Sequence, residues 1–329
     1  MLSRVADSLY WMSRYLERAE HTARVINIQL NLMLERGSQS EDLDWARIGR
    51  SLGMEKPEQD PDQDPDQDPD KDGDWGAEGL AQLLLHDASN RSSIVASIVN
   101  ARENARQVRE QISSEMWEQL NRLFHAVRRS SPEVWDARDF LQSIKEGAHL
   151  FQGITDSTMT HGEGWQFIQA GRYLERAVAL STLVGAHFRD FRQPAQIGAE
   201  RVYLEWIGLL RSCTAFEAYC KAYTADVKQE RIAEFLVLHP SFPHSIRFSA
   251  EALETAIKEI GREAGSRRAA RVERIAGRLR ATLGFSQIDE IMAGGLHSYL
   301  HEILRQCGQV HSALYQTYIS YPIEAALEA

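Results

Sequence analysis

A hexapeptide rich in arginine and glutamate occurs twice in this chain. The segment Arg14-Tyr-Leu-Glu-Arg-Ala19 returns unchanged as Arg172-Tyr-Leu-Glu-Arg-Ala177. Glutamate carboxylates can act as acids or bases, and arginine guanidinium groups can hold carboxylates or phosphates in paired hydrogen bonds. The two copies predict two equivalent helices in one bundle, each presenting the same charged groups.

We treat nine charged residues as a candidate Arg/Glu cluster. A third charged segment, 102–110, is expected to lie on a helix that opposes the first copy with complementary charge. The cluster comprises Arg14, Glu17, Arg18, Glu20, Glu103, Arg106, Arg172, Glu175 and Arg176.

Three interpretations of this cluster remain open. Its residues form solvated surface pairs, a buried network that fixes helix register, or a site that holds an acidic or phosphorylated intermediate. Aromatic residues such as Trp11 and Tyr15 stand between the charges, and together with the second copy they favour a buried network. No catalytic residue is assigned.

The spacing of apolar residues predicts the elements that position these charges. In the first 36 residues apolar side chains recur every three or four positions, which is the period of a helix. Similar patterns predict an all-α fold, a bundle of long amphipathic helices, as a single domain over residues 1–329. The helices are expected at 3–36, 41–52, 92–129, 132–159, 162–191, 201–223, 231–238, 249–262, 265–283 and 288–319, with Ser245 as a cap.

Most of the net charge of −10 comes from one acidic segment. Residues 59–74 place aspartate at every second position and proline at every fourth, so we predict a disordered insertion over 55–77. Asp68, Asp70 and Asp72 match half of a calcium loop, but Gly79 stands where the closing glutamate belongs. Elsewhere the charges are mixed, without a basic stripe, and no nucleic-acid partner is expected.

The remaining features argue against several classes of protein. No apolar run approaches the roughly 20 residues that span a bilayer, so no membrane association is expected. A signal peptide is not recognisable, and three cysteines fit a reducing compartment, which predicts the cytoplasm. His297 and His301 could share a metal but lack the glutamate of a zinc-protease helix, so no metal or cofactor is predicted. The absence of a phosphate loop or nucleophile motif leans against an enzyme.

Four segments together resemble a known bacterial family, the alpha-E domain family. The first, Ser3–Glu20, looks like the opening motif of that family, and the resemblance continues at 102–106, 171–176 and 234–247. The resemblance implies an all-helical domain that is typically encoded beside, or fused to, a circularly permuted ATP-grasp ligase. A transglutaminase-like protein is often a further partner.

The function implied by this resemblance is that of an accessory or scaffold protein. It would serve an amide ligase in the synthesis or modification of a peptide-like product. The alternative is an all-helical enzyme or carrier that uses the Arg/Glu cluster. Three features depart from the family pattern: His244 replaces an expected arginine, Val178 replaces a polar residue, and the acidic insertion is additional.

Overall fold

The predicted all-α fold is confirmed by a computed structural model of the chain. It describes residues 1–36, 48–54, 83–85, 87, 90, 92–129, 137–190, 199–224, 226–264 and 269–320, and within them every regular element is a helix. The acidic insertion, the partial calcium motif and most of the helix predicted at 41–52 lie outside the described residues.

The main helices are numbered here in chain order. They are α1 (Ser3–Arg36), α2 (Ile94–Gln107), α3 (Ser114–Arg129), α4 (Ala137–Thr158), α5 (Glu163–Asp190), α6 (Ala199–Ser212), α7 (Phe216–Tyr223), α8 (Gln229–Leu238), α9 (Ile246–Ala264), α10 (Ala269–Phe285), α11 (Ile288–Gly294) and α12 (Leu296–Leu314).

Three helices that the sequence predicts as continuous are interrupted. The helix expected at 92–129 is interrupted between Gln107, where α2 ends, and Ser114, where α3 begins. Ser113 caps α3, because its Oγ accepts a hydrogen bond from Met116 N at 3.2 Å. The helix expected at 201–223 breaks at Thr214, whose φ is 52°. The helix expected at 288–319 breaks at Gly295, whose φ is 95°. The helical spacing of apolar residues continues across each break, so this spacing alone does not reveal where a helix is interrupted.

The helices pack in the same arrangement twice. In the first half, α1, α2, α3 and α4 form a ring in which each helix packs on the next and α4 returns to α1. In the second half, α5, α9, α10 and α12 form an equivalent ring in the same chain order. Because α1 and α5 carry the hexapeptide and also pack on each other, the repeat in sequence corresponds to a repeat in packing.

The two motif helices, α1 and α5, run in the same direction. Contacts between them keep nearly the same sequence separation along their length: 162 residues for Met1–Glu163, 161 for Arg14–Glu175 and 159 for Glu17–Arg176. An antiparallel pair would show separations that change steadily. The charged motifs therefore face each other in register, near the middle of one cluster of buried apolar residues that extends from Val5 to Leu314.

A glycine permits the close approach of α1 and α5. A Cβ at Gly171 would clash with the carbonyl oxygen of Tyr10 and the Oγ of Ser13. Gly171 directly precedes the second hexapeptide, and Ser13 precedes the first. Small residues at this position bring the helix backbones together so that the charged side chains reach across the interface.

Candidate functional site

The two hexapeptides exchange ion pairs across the α1–α5 interface. Glu175 of the second copy accepts hydrogen bonds from Arg14 Nε at 2.7 Å and Arg18 Nε at 2.6 Å, both from the first copy. Glu17 of the first copy accepts one from Arg176 Nε of the second copy at 2.5 Å. The structure thus places five of the nine candidate residues in one reciprocal network, and a sixth, Arg172, lies at its edge, 3.8 Å from Glu17.

We use half-site for each of the two glutamates together with the groups that contact it. In the half-site around Glu175, the carboxylate, Arg14 and Tyr10 are all buried. The Arg14 guanidinium lies 4.5 Å from the centre of the Trp11 ring and donates to the hydroxyl of Tyr10 at 3.4 Å. That hydroxyl lies 2.8 Å from Nδ1 of His311, which α12 contributes. Burial lowers the pKa of Arg14, but Glu175 and Tyr10 together outweigh burial, and the net shift of the pKa is upward.

The environment of Glu175 favours the ionised form of its carboxylate. Burial alone would raise its pKa, but the two arginine side chains that bond to it outweigh burial and lower the pKa. A buried carboxylate held by two guanidinium groups is a poor proton acceptor, because protonation would leave both arginines unpaired.

The half-site around Glu17 uses different supporting residues. Arg176 is buried with its side chain 4% exposed, and it also donates to the carbonyl oxygen of Pro243 at 3.2 Å. Gln152 of α4 donates to Glu17 Oε2 at 3.1 Å. Arg172 Nε lies 3.8 Å from the same carboxylate, which is too far for a hydrogen bond.

Arg172 is the least satisfied charge in the network. Among the described residues, no acceptor reaches its buried Nε within hydrogen-bond distance. Burial, followed by the positive charge of Arg176, lowers the pKa of Arg172, whereas the pKa of its counterpart Arg14 is raised. Since the network holds four arginines and two glutamates, it carries an excess positive charge, and Arg172 is where that excess is least compensated.

Glu20 belongs to a neighbouring, smaller group. Its carboxylate pairs with Arg24 one turn along α1 and lies 3.5 Å from Nε2 of His149. Burial raises the pKa of Glu20, but His149 and Arg24 outweigh it and hold the pKa below its usual range. The position equivalent to Glu20 in the second copy is Val178, so this group has no symmetric partner.

Glu103 and Arg106 are not brought into the network. They pair with each other at 2.6 Å on the exposed surface of α2, with side chains 44% and 59% exposed. The reason is helical geometry: α2 packs against α1 through Ile98, Ala101 and Ala105, which occupy the opposite face. The third charged segment therefore does not oppose the first copy.

The turn between α8 and α9 seals one end of the Glu17 half-site. Ser245 caps α9 as expected, accepting a hydrogen bond from Phe248 N at 3.0 Å. His244, where the family resemblance suggests arginine, lies near Arg176 and Glu20. Burial, followed by the charge of Arg176, lowers its pKa well below 6.5, so the imidazole is neutral.

The sequence pointed to Tyr10 as an aromatic residue beside the charges, but it did not point to two other residues that complete the network. His311 and Gln152 contact the charged groups, yet His311 is separated from Arg14 by 297 positions. The role of Gly171 could have been predicted from the sequence, since a glycine stands directly before one hexapeptide and a small residue, serine, before the other. The role of His311 on α12 could not, because it arises only from tertiary packing.

Chemically, the network is suited to holding two helices together. Both of its carboxylates are engaged by arginines of the other copy. Within the described part of the chain, no three His, Cys, Asp or Glu side chains are grouped so that they could hold a metal ion. None of the described helices is both long enough and apolar enough to cross a membrane.

These features define a class of protein: an all-helical domain built around paired Glu-Arg motifs on two equivalent helices. The family model described as "a predicted alpha-helical domain with a conserved ER motif" matches residues 1–319. The chain belongs to this family, Alpha-E. The Glu-Arg dipeptides that meet in the network are Glu17-Arg18 and Glu175-Arg176.

The chain is also similar to uncharacterized proteins of Mycobacterium bovis and of two Mycobacterium tuberculosis strains. Each is 26% identical over 211 residues, which make up 62% of this chain and 23% of the relative. The chain thus spans less than a quarter of the length of these relatives. No solved structure matches the chain significantly.

Proposed function

We propose that this chain is a non-catalytic accessory or scaffold protein of an ATP-grasp-type amide ligase. It would act in the synthesis or modification of a peptide-like product. The observation that carries the non-catalytic part is the reciprocal pairing of Glu17 and Glu175 with arginines of the opposite copy. Carboxylates that neutralise buried arginines stabilise the helix interface and are not available as general bases.

The choice of partner rests on the resemblance of the motifs to a family associated with circularly permuted ATP-grasp ligases. The curated relatives support a partner of some kind, because the similar segment is only 23% of their length. In those relatives the similar segment is joined to much further sequence. A transglutaminase-like protein is the second partner we propose.

We also propose that the protein works in the cytoplasm without nucleic acid or membrane. All three cysteines are free, and Cys213 and Cys307 are buried among apolar side chains. Burial raises the pKa of each of these two thiols to about 12, so neither is a reactive thiolate near neutral pH. Unpaired, unreactive cysteines fit a reducing compartment.

Co-purification with a circularly permuted ATP-grasp ligase from the same organism tests the proposal. The tagged chain should retain the ligase, and adding the chain to the ligase should raise the yield of product. Failure to associate, together with an unchanged yield, would rule out the scaffold role.

A substitution in the network separates a scaffold from an enzyme. Glu17→Gln, assayed well below its melting temperature, should support product formation as well as the wild type does. Glu103→Gln, on the exposed surface of α2, is the matched control for loss of one carboxylate. If folded Glu17→Gln protein abolished product formation while the control did not, the network would be catalytic.

A further inference from the structure

An open cleft lies beside the less satisfied half of the network. It has a volume of about 710 Å³ and runs between α4, α5 and α9. Its walls contain the guanidinium-bearing Arg172, the indole of Trp165 and the rings of Tyr173 and Phe248. A cleft of this volume is large enough to hold a short peptide.

Two hydrogen-bond donors in this cleft lack acceptors. Within the described residues, neither the Nε of Arg172 nor the Nε1 of Trp165 has a hydrogen-bond partner, although both atoms are shielded from solvent. A buried donor without an acceptor is unfavourable, so each such group requires an explanation, and an ion bound nearby is one of them. The Arg172 side chain as a whole is 24% exposed, so the rest of its guanidinium group can donate to the oxygens of an anion in the cleft.

The opposite half-site shows why this cleft exists. At the spacing of the two hexapeptides, Trp11 corresponds to Gln169 and Tyr10 to Ile168, so Arg172 lacks the ring and the hydroxyl that enclose Arg14. At the same spacing His311 corresponds to Gly153, which lines the cleft. A Cβ added at Gly153 would meet no described atom within 4 Å.

The lining also indicates what accompanies the anion. Three glutamine side chains, Gln152, Gln166 and Gln169, border the cleft and offer amide groups that both donate and accept hydrogen bonds. The peptide groups of a ligand also offer one donor and one acceptor each, so they can pair with these amides. The aromatic rings supply flat apolar surface for the rest of such a ligand.

Acidic groups at the cleft do not cancel the charge of Arg172. Glu251 is already paired with Arg247 at 2.9 Å. Asp156 is exposed, with its side chain 69% accessible, and lies 3.8 Å from Nε2 of His161. Solvent screens an exposed carboxylate far more than a buried one. Glu17, 3.8 Å from Arg172 Nε, is already paired with Arg176. The other titratable groups on the wall are the imidazole of His149 and the phenol of Tyr173.

We propose that this cleft binds an acidic peptide, with a carboxylate on the exposed part of the Arg172 guanidinium and the peptide groups along the glutamines. This deepens the proposed function, on which the biological role of the peptide rests. Binding itself requires only this chain. A failure to bind peptide would therefore leave ligase co-purification untouched, and a failure of co-purification would leave peptide binding untouched.

Calorimetric titration of the purified full chain with N-acetyl-Glu-Glu tests the proposal. Its uncharged analogue, N-acetyl-Gln-Gln amide, has the same shape without the carboxylates. We expect the acidic peptide to bind at least tenfold more tightly than the analogue, since charge-assisted hydrogen bonds to a guanidinium distinguish the two. Equal binding of both peptides, or no binding of either, would overturn the proposal.

Two variants locate the binding. Arg172→Gln should weaken binding about tenfold by removing the charge. Gly153→Phe should weaken binding at least as much by filling the cleft, and the open space at Gly153 lets the variant fold. Arg106→Gln, which removes an exposed arginine on α2, is the control and should bind normally.

The contrary results are equally specific. Unchanged affinity in Gly153→Phe, with circular dichroism showing a folded protein, would place the peptide elsewhere and overturn the proposal. Inorganic phosphate that binds as tightly as the peptide would also overturn it, because the glutamines and rings would then contribute nothing.

Discussion

Arg14 and Arg172 occupy the same position in two identical hexapeptides, yet their surroundings differ. Arg14 bonds to Glu175, lies over Trp11 and approaches Tyr10 and His311. Arg172 lies over its own neighbour Tyr173, stands 3.8 Å from Glu17 and borders an open cleft.

The difference shows that a repeated motif determines which charged residues meet, but not how closely they pair or how they are enclosed. The residues that meet lie inside the hexapeptide, which is the same in both copies. Enclosure is set by residues one turn before it and by the neighbouring helix, where Trp11 is matched by Gln169 and His311 by Gly153. One half-site is therefore closed and the other open.

The largest effect is expected for Glu175→Gln. This change leaves Arg14 and Arg18 without a carboxylate at the centre of the interface. Removing one partner of a buried ion pair destabilises a protein by about 3–5 kcal/mol. Urea unfolding should show a loss of this size, and a loss under 1 kcal/mol would mean that the closed half-site contributes little.

Acid should remove much of the same contribution. The pKa of Glu175 is lowered in the folded state from an ordinary value of 4.5, so its stabilisation is full above that pH. The contribution is lost as the pH falls through the lowered folded value. The stability difference between the wild type and Glu175→Gln should therefore shrink below about pH 4.5, whereas a constant difference down to pH 3 would argue against an ionised Glu175.

A comparison of Arg14→Gln with Arg172→Gln sharpens the contrast between the half-sites. Arg14 loses a direct ion pair and ring contacts, so we expect a cost of about 2–3 kcal/mol. Arg172 loses an interaction at 3.8 Å and relieves repulsion with Arg176, so we expect a cost below about 1 kcal/mol. Thermal unfolding of both variants measures this, and equal losses would erase the distinction.

A glycine-to-alanine pair tests the close approach of α1 and α5. Gly171→Ala should destabilise the protein by about 1–3 kcal/mol, because the new methyl group clashes with the Tyr10 carbonyl. Gly153→Ala is the matched control on α4, where an added Cβ meets no described atom within 4 Å. Alanine there should be neutral or stabilise by up to about 1 kcal/mol through helix propensity. Similar effects at both sites would contradict the packing at Gly171.

Much of the fold could be predicted from the sequence, because apolar residues that recur every three or four positions identify long helices directly. The breaks at Thr214 and Gly295 could not, because apolar residues keep a helical spacing on both sides of each. Mutual pairing of the hexapeptides follows from their identity. The expected role of Glu103 and Arg106 did not hold, because charge composition says nothing about which helix face is buried.

The cleft lay beyond sequence reasoning for a related reason. The cleft depends on the absence of a side chain at Gly153, which lies on α4 and lines the cleft. The position of α4 is set by its packing on α1, which is a tertiary contact. A glycine in a helix normally indicates only weaker propensity. Its meaning here appears when the two halves are compared at the 158-residue spacing of the hexapeptides, which matches Gly153 with His311.

The most direct test of the central claim is a double-mutant cycle on Glu17 and Arg176. These residues are 159 positions apart and joined by a 2.5 Å hydrogen bond between buried side chains. Glu17→Gln, Arg176→Gln and the double variant should give a coupling free energy of about 1–3 kcal/mol. The exposed Glu103–Arg106 pair, put through the same cycle, should give about 0.5 kcal/mol or less. Additivity of the Glu17 and Arg176 changes within about 0.5 kcal/mol would contradict the claim that the two motifs hold each other across the interface.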